Sequence, residues 1–463
     1  MTSRVLDVSA GSHDEGLIRA IGPGSATLFV IGSVIGSGIF LTTGVMAASI
    51  PSASLLLLAW MAGGLFAISG GLTYAEMGTM FPRSGGVYVF LREAYGGLPA
   101  FLYGWVALLV VMSGGIAAVA VGFAEYLSFF VPALSTSREL LTVGLPFGSW
   151  SLSAGQLTAA AAICAVGAVN YVGVRRGNMT NVVLTAAKVT GLAALPLMAL
   201  AAARVDPVFM PVVPPDLARP AAAFGIAMIA VLWTREGWYF LTLAAGEVKD
   251  PGRTVPRALV YGIAALTTIY LLVNVAYLHA LSIDEMKGVT RIAERAASSL
   301  IGPAGATFVA LTVVLSTLGA NVAALLAGSR LLFAMASDGV FFSAARLVHP
   351  AYRTPHVAIV ALTSWAALLA LSGTYEQLFT YVMFTSILFS VAAGTALFRL
   401  RWKLPDHPRP YRTWGYPVVP LVFIAGSIAF VTNTLIERPV ESLSGLALLA
   451  PGIPAYWYWR KDG

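Results

Sequence analysis

Residues 32–40 read Gly-Ser-Val-Ile-Gly-Ser-Gly-Ile-Phe and lie inside an apolar segment long enough to cross a bilayer. Three glycines and two serines in nine residues weaken a helix, because glycine costs about 1 kcal/mol per position relative to alanine. In hydrocarbon each unpaired backbone N–H or C=O costs several kcal/mol more. A membrane helix with a weak centre is tolerated where its freed backbone faces protein or a watery cavity, and a cavity lined by bare N–H and C=O groups suits a small polar molecule. The stretch predicts a broken membrane helix at a binding site, the architecture of a transporter.

The flanking composition agrees. The chain has 463 residues, 58% hydrophobic and 11% charged, with mean hydropathy +0.81, whereas a soluble domain carries about 25% charged residues. Apolar runs recur from end to end, so the sequence reads as a polytopic helical membrane protein with no sizeable soluble domain. The polar N-terminal residues, with Asp14 and Glu15, lack the apolar core of a cleaved signal peptide. The single cysteine, Cys164, excludes an intrachain disulfide and reads as a small hydrophobe in a packed helix. No metal-ligand cluster, phosphate-binding glycine loop or nucleophile elbow is present, so no catalytic residue, metal or cofactor is assigned and the chain is read as a non-enzyme. The net charge of +7 is assigned to basic loops at a membrane rather than to nucleic acid.

Twelve spans are expected: 25–49, 54–78, 97–130, 155–172, 180–203, 221–246, 258–282, 305–337, 356–373, 376–399, 417–435 and 440–459. With the N-terminus in the cytoplasm, nineteen Lys and Arg residues fall on the cytoplasmic side and seven on the other, with Lys188 and Arg235 inside spans. That asymmetry follows the positive-inside rule and predicts a multi-pass protein of the cell membrane, inner or plasma, with both termini cytoplasmic.

The sixth span holds Arg235, Glu236 and Gly237 at its centre. A second interrupted helix thus falls five spans after the first. Weak helices at corresponding positions of two halves point to the site of an inverted-repeat transporter. The expected organisation is a cytoplasmic segment 1–24, a first repeat 25–203, a second repeat 221–399 and two further spans in 417–459. Half-helix N-termini suit a carboxylate, and half-helix C-termini and unwound carbonyls suit an ammonium. A zwitterionic amino acid satisfies both.

Further motifs extend the reading: Phe-Pro-Arg-Ser-Gly-Gly-Val-Tyr at 81–88, Leu-Arg-Glu-Ala-Tyr-Gly at 91–96, Thr-Ala-Ala-Lys at 185–188, the stretch 237–258 from Gly-Trp-Tyr-Phe to Val-Pro-Arg-Ala, Leu-Ser-Thr-Leu-Gly-Ala-Asn at 315–321 and Ser-Arg-Leu-Leu-Phe-Ala-Met-Ala-Ser-Asp-Gly at 329–339. Together with 32–40, in this order over nearly the whole chain, they resemble the L-type amino acid transporter family of the amino acid–polyamine–organocation superfamily, in a bacterial form. The resemblance implies a LeuT-like all-α fold of twelve helices in a 5+5 inverted repeat, with helices 1 and 6 broken. It implies that Ile35, Gly36, Ser37 and Gly38 hold the substrate carboxylate, and that Leu232, Trp233, Arg235, Glu236 and Gly237 surround the unwound sixth span, with Trp233 or a neighbour as an aromatic lid. Lys188 would stand where sodium-coupled relatives bind sodium. Ser316 and Asn321 on span 8 could approach Lys188 or hydrogen-bond across helices.

Where the family commonly has Tyr followed by Asp or Gly, this chain has Arg235 and Glu236. The two could pair; otherwise Arg235 could bind an acidic side chain, or Glu236 a cationic one. Glu76 and Glu247 are expected to pair with Arg83, Arg92 or Lys249 near the cytoplasmic ends. Segment 131–154 contains no cysteine, which excludes the disulfide-linked partner glycoprotein of eukaryotic L-type carriers. The expected function is sodium-independent transport of neutral L-amino acids by alternating access, as exchanger or proton symporter. The alternatives are carriage of amines, polyamines or charged amino acids, and nutrient sensing without transport.

Overall fold

Glycine-rich and proline-marked segments divide the chain into helices. The computed structural model describes residues 19, 21–145, 148–172, 174–215, 217–373 and 375–461, with backbone alone at 145, 148–149, 174–187, 460 and 461. Most of the expected N-terminal segment 1–24, including Asp14 and Glu15, therefore lies outside the described residues. In chain order the helices are α1 Pro23–Val34, α2 Gly38–Ser49, α3 Ala53–Met80, α4 Val87–Tyr95, α5 Gly97–Leu127, α6 Ala154–Val172, α7 Val174–Ala202, α8 Pro220–Thr234, α9 Phe240–Leu243, α10 Pro251–Ala280, α11 Ile283–Met286, α12 Ile292–Ile301, α13 Pro303–Ser337, α14 His356–Ala370, α15 Tyr375–Lys403, α16 Val418–Glu437, α17 Pro439–Leu449 and α18 Gly452–Lys461. Proline opens α1, α8, α10, α13 and α17, where its missing N–H costs nothing and its fixed φ suits the first turn. The Ser52 hydroxyl caps α3 by accepting from the Leu55 N–H at 3.3 Å.

Among the described residues, seven helices are long and apolar enough to cross a membrane: α3, α5, α6, α10, α13, α15 and α16. The pair α1 and α2, bent by 44° at its break, passes as an eighth. Part of α7, α8 and α14 are shorter apolar helices. Among the described residues the regular structure is helical but for a single bridge between Ile21 and Val248 and one hairpin. Glu139–Leu145 and Gly148–Ser153 pair as an antiparallel hairpin, favoured by the alternation of serine with Trp150 and Leu152. The Trp150 indole donates to the Leu371 carbonyl at 3.2 Å and ties the hairpin to the end of α14. The twelfth expected span, 440–459, is two helices, α17 and α18, meeting at Ala450 and Pro451, because proline cannot donate into the preceding turn.

Within α5 the turn widens to a π-helix over Ala107–Met112, and the Ser113 hydroxyl reaches back to the Leu108 carbonyl at 2.5 Å. Helix α10 packs along both α3 and α1. The N-terminal half α1 lies against α9, and α2 lies against α8. The two interrupted segments therefore run antiparallel, break beside break. Cys164 is exposed on the outer surface of α6 rather than packed inside.

Candidate functional site

The first break is Ile35, Gly36 and Ser37. α1 stops with the Ile35 N–H on the Ile31 carbonyl at 3.1 Å, and α2 restarts at Gly38. The opening N–H groups of any helix lack an intrahelical acceptor. Among the described residues, the amides of Gly36, Ser37, Gly38 and Ile39 pair with no other backbone group. They form a concentration of bare donors at the positive end of α2, the arrangement that binds anions. Ile35 and Ser37 are fully buried, and Gly36 lies between Val119 of α5 and Ala320 of α13.

The second break follows Thr234. The Arg235 and Glu236 amides turn back onto the carbonyls of Leu232 and Trp233 at 3.1 and 3.0 Å. Gly237 then takes φ +101°, open to glycine and strained for other residues. The two breaks interlock. A Cβ on Gly38 would lie 2.8 Å from Thr234 Cα, and one on Gly237 would lie 2.9 Å from the Ser33 carbonyl oxygen. The Ser33 hydroxyl completes the second crossing by donating to the Gly237 carbonyl at 3.1 Å. Each break thus presents a glycine to the residue beside the other, and the small side chains noted in the sequence are what permit this approach. Gly122 of α5 leaves room for Ser37 in the same way.

Lys188 reaches this centre from α7. Its side chain is fully buried, and Nζ donates to the carbonyls of Gly32 at 3.1 Å and Ile35 at 2.9 Å. A cation at a helix C-terminus is favoured by the helix dipole. The Ser316 hydroxyl of α13 donates to the Gly36 carbonyl at 3.3 Å. Lys188 and Ser316 thus both hydrogen-bond to the backbone of the first break. Asn321 is buried, but its Oδ1 has no partner among the described residues.

Arg235 and Glu236 do not pair. The Arg235 side chain, 2% exposed, turns toward α3 and α10. There Nη2 donates to the Trp60 carbonyl at 2.8 Å and Nη1 to the Thr267 hydroxyl at 3.0 Å. The guanidinium lies 5.8 Å from the Trp60 ring centre and 5.7 Å from that of Tyr270, a cation–π arrangement. Gly63 leaves the space for it: a Cβ there would meet Arg235 Nε at 3.1 Å. Glu236 points elsewhere and accepts from the Tyr239 hydroxyl at 2.6 Å and from Ser386 of α15 at 3.0 Å. Consecutive residues at a helix end project about 100° apart, so adjacency in sequence carries them to different neighbours.

Comparison with known proteins decides the family. The model of the family described as amino acid permease matches residues 21–453. The chain belongs to the amino acid permease family. It is 30% identical over 453 residues to the serine/threonine exchanger SteT of Bacillus subtilis, covering 97% of this chain and 99% of that protein. It is 30% identical over 471 residues to the human large neutral amino acids transporter small subunit 2, covering 98% and 83%. It is 26% identical over 447 residues to the human cystine/glutamate transporter, covering 93% and 84%. These relatives are amino acid transporters and exchangers, and the chain is a multi-pass membrane protein of that family.

One cluster of this permease escaped sequence reasoning. The Tyr375 hydroxyl, at the start of α15, accepts from the Trp233 indole at 2.8 Å and lies 3.1 Å from Ser37 Oγ. Phe379 stacks on Trp233, with ring centres 5.9 Å apart and planes at 17°. The aromatic pair Tyr375 and Phe379, four residues apart on one helix face, is the local signal that could have been read.

At the end of the permease that carries Pro23 and Met80, the ion pairs differ from those expected. Glu76, with no exposed side-chain surface, accepts from Arg401 through Nε at 2.9 Å and Nη2 at 2.7 Å, and from the Thr413 amide at 2.7 Å. Arg409 stands 3.5 Å away. Glu247 accepts from Arg330 at 2.7 Å. Arg83 pairs with Glu93, and Arg92 with Asp338. The backbone of Ile21 bonds to Glu247 and Lys249 at 3.0 and 2.9 Å. These contacts join α15 to α3, α4 to the end of α13, and the segment after α9 to both α13 and the start of α1. The pairing of Glu76 and Glu247 with Arg83, Arg92 or Lys249 is therefore incorrect: distant helices bring the partners, Arg401 bidentate to Glu76 and Arg330 to Glu247.

Proposed function

We propose that this permease is a sodium-independent transporter of neutral L-amino acids, working by alternating access in the cell membrane with both termini cytoplasmic. In this reading twelve helices form a LeuT-like fold, with repeats 25–203 and 221–399 related by an in-plane pseudo-two-fold and 417–459 outside them. The substrate carboxylate sits on the amides of 36–38 and the Ser37 hydroxyl, and the α-amine on the carbonyls of the second break near Leu232, Trp233 and Glu236. The observation that carries the reading is the antiparallel interlock of two breaks, the first of which presents unpaired N–H groups at the start of α2, the arrangement that suits a carboxylate. The buried Lys188 ammonium on the Gly32 and Ile35 carbonyls supports sodium independence, because a fixed cation already occupies the end of α1. The relatives, a serine/threonine exchanger and a large neutral amino acids transporter subunit, support the substrate class.

The test is uptake of a radiolabelled amino-acid panel into proteoliposomes, with and without internal amino acid, sodium and an inward proton gradient. The reading expects uptake that ignores sodium and responds to internal amino acid or to the proton gradient. Dependence on sodium would overturn it.

A second reading, transport of cationic amino acids or amines, has one observation in its favour: Glu236 is free of Arg235 and lies at the break, hydrogen-bonded among the described residues only to neutral partners, Tyr239 and Ser386. Uptake of lysine or putrescine in preference to neutral amino acids, abolished by Glu236→Gln, would establish it.

A further inference from the structure

Tyr375 takes part in none of the roles assigned above, yet its oxygen occupies a telling position. An indole N–H only donates, so the Tyr375 oxygen must accept from Trp233 at 2.8 Å. The same oxygen lies 3.1 Å from Ser37 Oγ, and Ser37 is fully buried at the amide-rich start of α2. The Tyr375 hydroxyl is therefore the hydrogen-bonding partner of the Ser37 side chain, either oxygen being able to donate, and it occupies the hydroxyl that a substrate carboxylate would engage. Phe379 backs the arrangement, stacked on Trp233 and 5.4 Å from Tyr375 between ring centres. The three aromatic side chains join α15 and α8 over the first break.

The geometry points to Tyr375 as an internal stand-in for the substrate carboxylate: a latch whose hydroxyl engages Ser37 and Trp233 in the empty protein and is displaced when an amino acid binds. This rests on the reading of Ser37 as a carboxylate ligand. The arrangement couples occupancy to the lid. With no substrate, the hydroxyl satisfies Ser37 and holds the Trp233 end of α8 to the start of α15. A carboxylate takes Ser37 and leaves Trp233 and Tyr375 to rearrange, so the binding step itself alters the contact between α2, α8 and α15. The cost to the substrate is one competing hydrogen bond, so its removal is read as tighter binding rather than weaker.

The experiment measures binding of L-threonine, L-leucine and their methyl esters to the purified full-length protein, for wild type, Y375F, S37A and the double variant. Y375F should tighten binding of the amino acid about two- to tenfold, the worth of one net hydrogen bond. It should leave the esters, which lack the charged carboxylate, unchanged. S37A should weaken amino-acid binding and make Y375F silent in the double variant. A normal loss in S37A with Y375F no tighter than wild type overturns the latch alone. Binding indifferent to S37A, or no binding of either amino acid to wild type, overturns the reading of the site and the latch with it. Independently of any variant, a structure of wild type with amino acid bound should show the Tyr375 hydroxyl withdrawn from Ser37. Its retention there beneath a bound carboxylate would also overturn the proposal.

Discussion

Lys188 Nζ donates to the Ile35 carbonyl at 2.9 Å, although 153 residues separate the two. The bond closes the end of α1 where the backbone leaves the helix, and Gly32 supplies the second acceptor. Lys188→Ala would strand two buried carbonyls, each worth about 1–3 kcal/mol when its partner is lost. We expect uptake by Lys188→Ala proteoliposomes to fall by about tenfold or more at equal protein incorporation, since about 1.4 kcal/mol is a factor of ten. Uptake at the wild-type rate would remove Lys188 from the mechanism.

The glycines of the first break are not equivalent. A methyl group on Gly36 meets its first neighbours at 3.7 and 3.8 Å, ordinary contact. On Gly38 it meets Thr234 Cα at 2.8 Å, and backbone cannot step aside as a flexible side chain can. Gly38→Ala should destabilise the protein by about 1–3 kcal/mol, the usual range for overpacking, and Gly36→Ala by clearly less. Thermal unfolding of both variants in one detergent checks the order; equal midpoints would mean that the two breaks are not in close contact.

Much of this centre was legible because it follows from helix register. The weak stretch at 32–40 and its counterpart at 235–237 are properties of single segments, and pairing them needs only their spacing along the chain; Lys188 was placed beside them by the family resemblance. What was not legible depends on where distant helices meet. The partner of Glu76 is Arg401, 325 residues away, and Ser37 faces Tyr375, 338 residues away. The divergence of Arg235 and Glu236 could have been read from helix geometry, since neighbours in sequence do not face each other on a helix. Cys164 was misplaced because apolar neighbours mean burial in a soluble protein, but suit equally a surface that faces lipid.

The buried ion cluster gives a prediction of a different kind. Glu76 is the shared anion of Arg401 and Arg409, with the Thr413 amide as a further donor. Removing one partner of a buried pair leaves an uncompensated charge and costs about 3–5 kcal/mol. Glu76→Gln should therefore lower the unfolding midpoint strongly and with little dependence on salt. Glu247→Gln removes a carboxylate that is 18% exposed where Glu76 is fully enclosed, and should have a smaller effect that shrinks as salt rises, because solvent-accessible charges are screened. Identical salt responses would contradict the difference in burial.

The last prediction separates two adjacent residues by what each one touches. Arg235 is enclosed by Trp60, Tyr270 and Thr267, all on α3 and α10, whereas Glu236 meets Tyr239 and Ser386 beside the break. Arg235→Ala removes two hydrogen bonds and a ring-stacked cation and opens space against Gly63. It should lower stability by about 2–4 kcal/mol, by analogy with large-to-small changes in cores, while KM for the folded fraction changes less than about threefold, since no contact with the break is lost. Glu236→Gln keeps the shape and both hydrogen-bonding partners but removes the charge. It should leave the unfolding midpoint nearly unchanged and move KM, with the sign reporting the substrate: a rise for cationic substrates whose counter-charge is lost, little change or a fall for neutral ones. The two variants should thus divide, one acting on stability and the other on substrate affinity. If Arg235→Ala instead moved KM with stability intact, the guanidinium would have to reach the substrate in another conformation, and the aromatic enclosure by α3 and α10 would be only one of its positions.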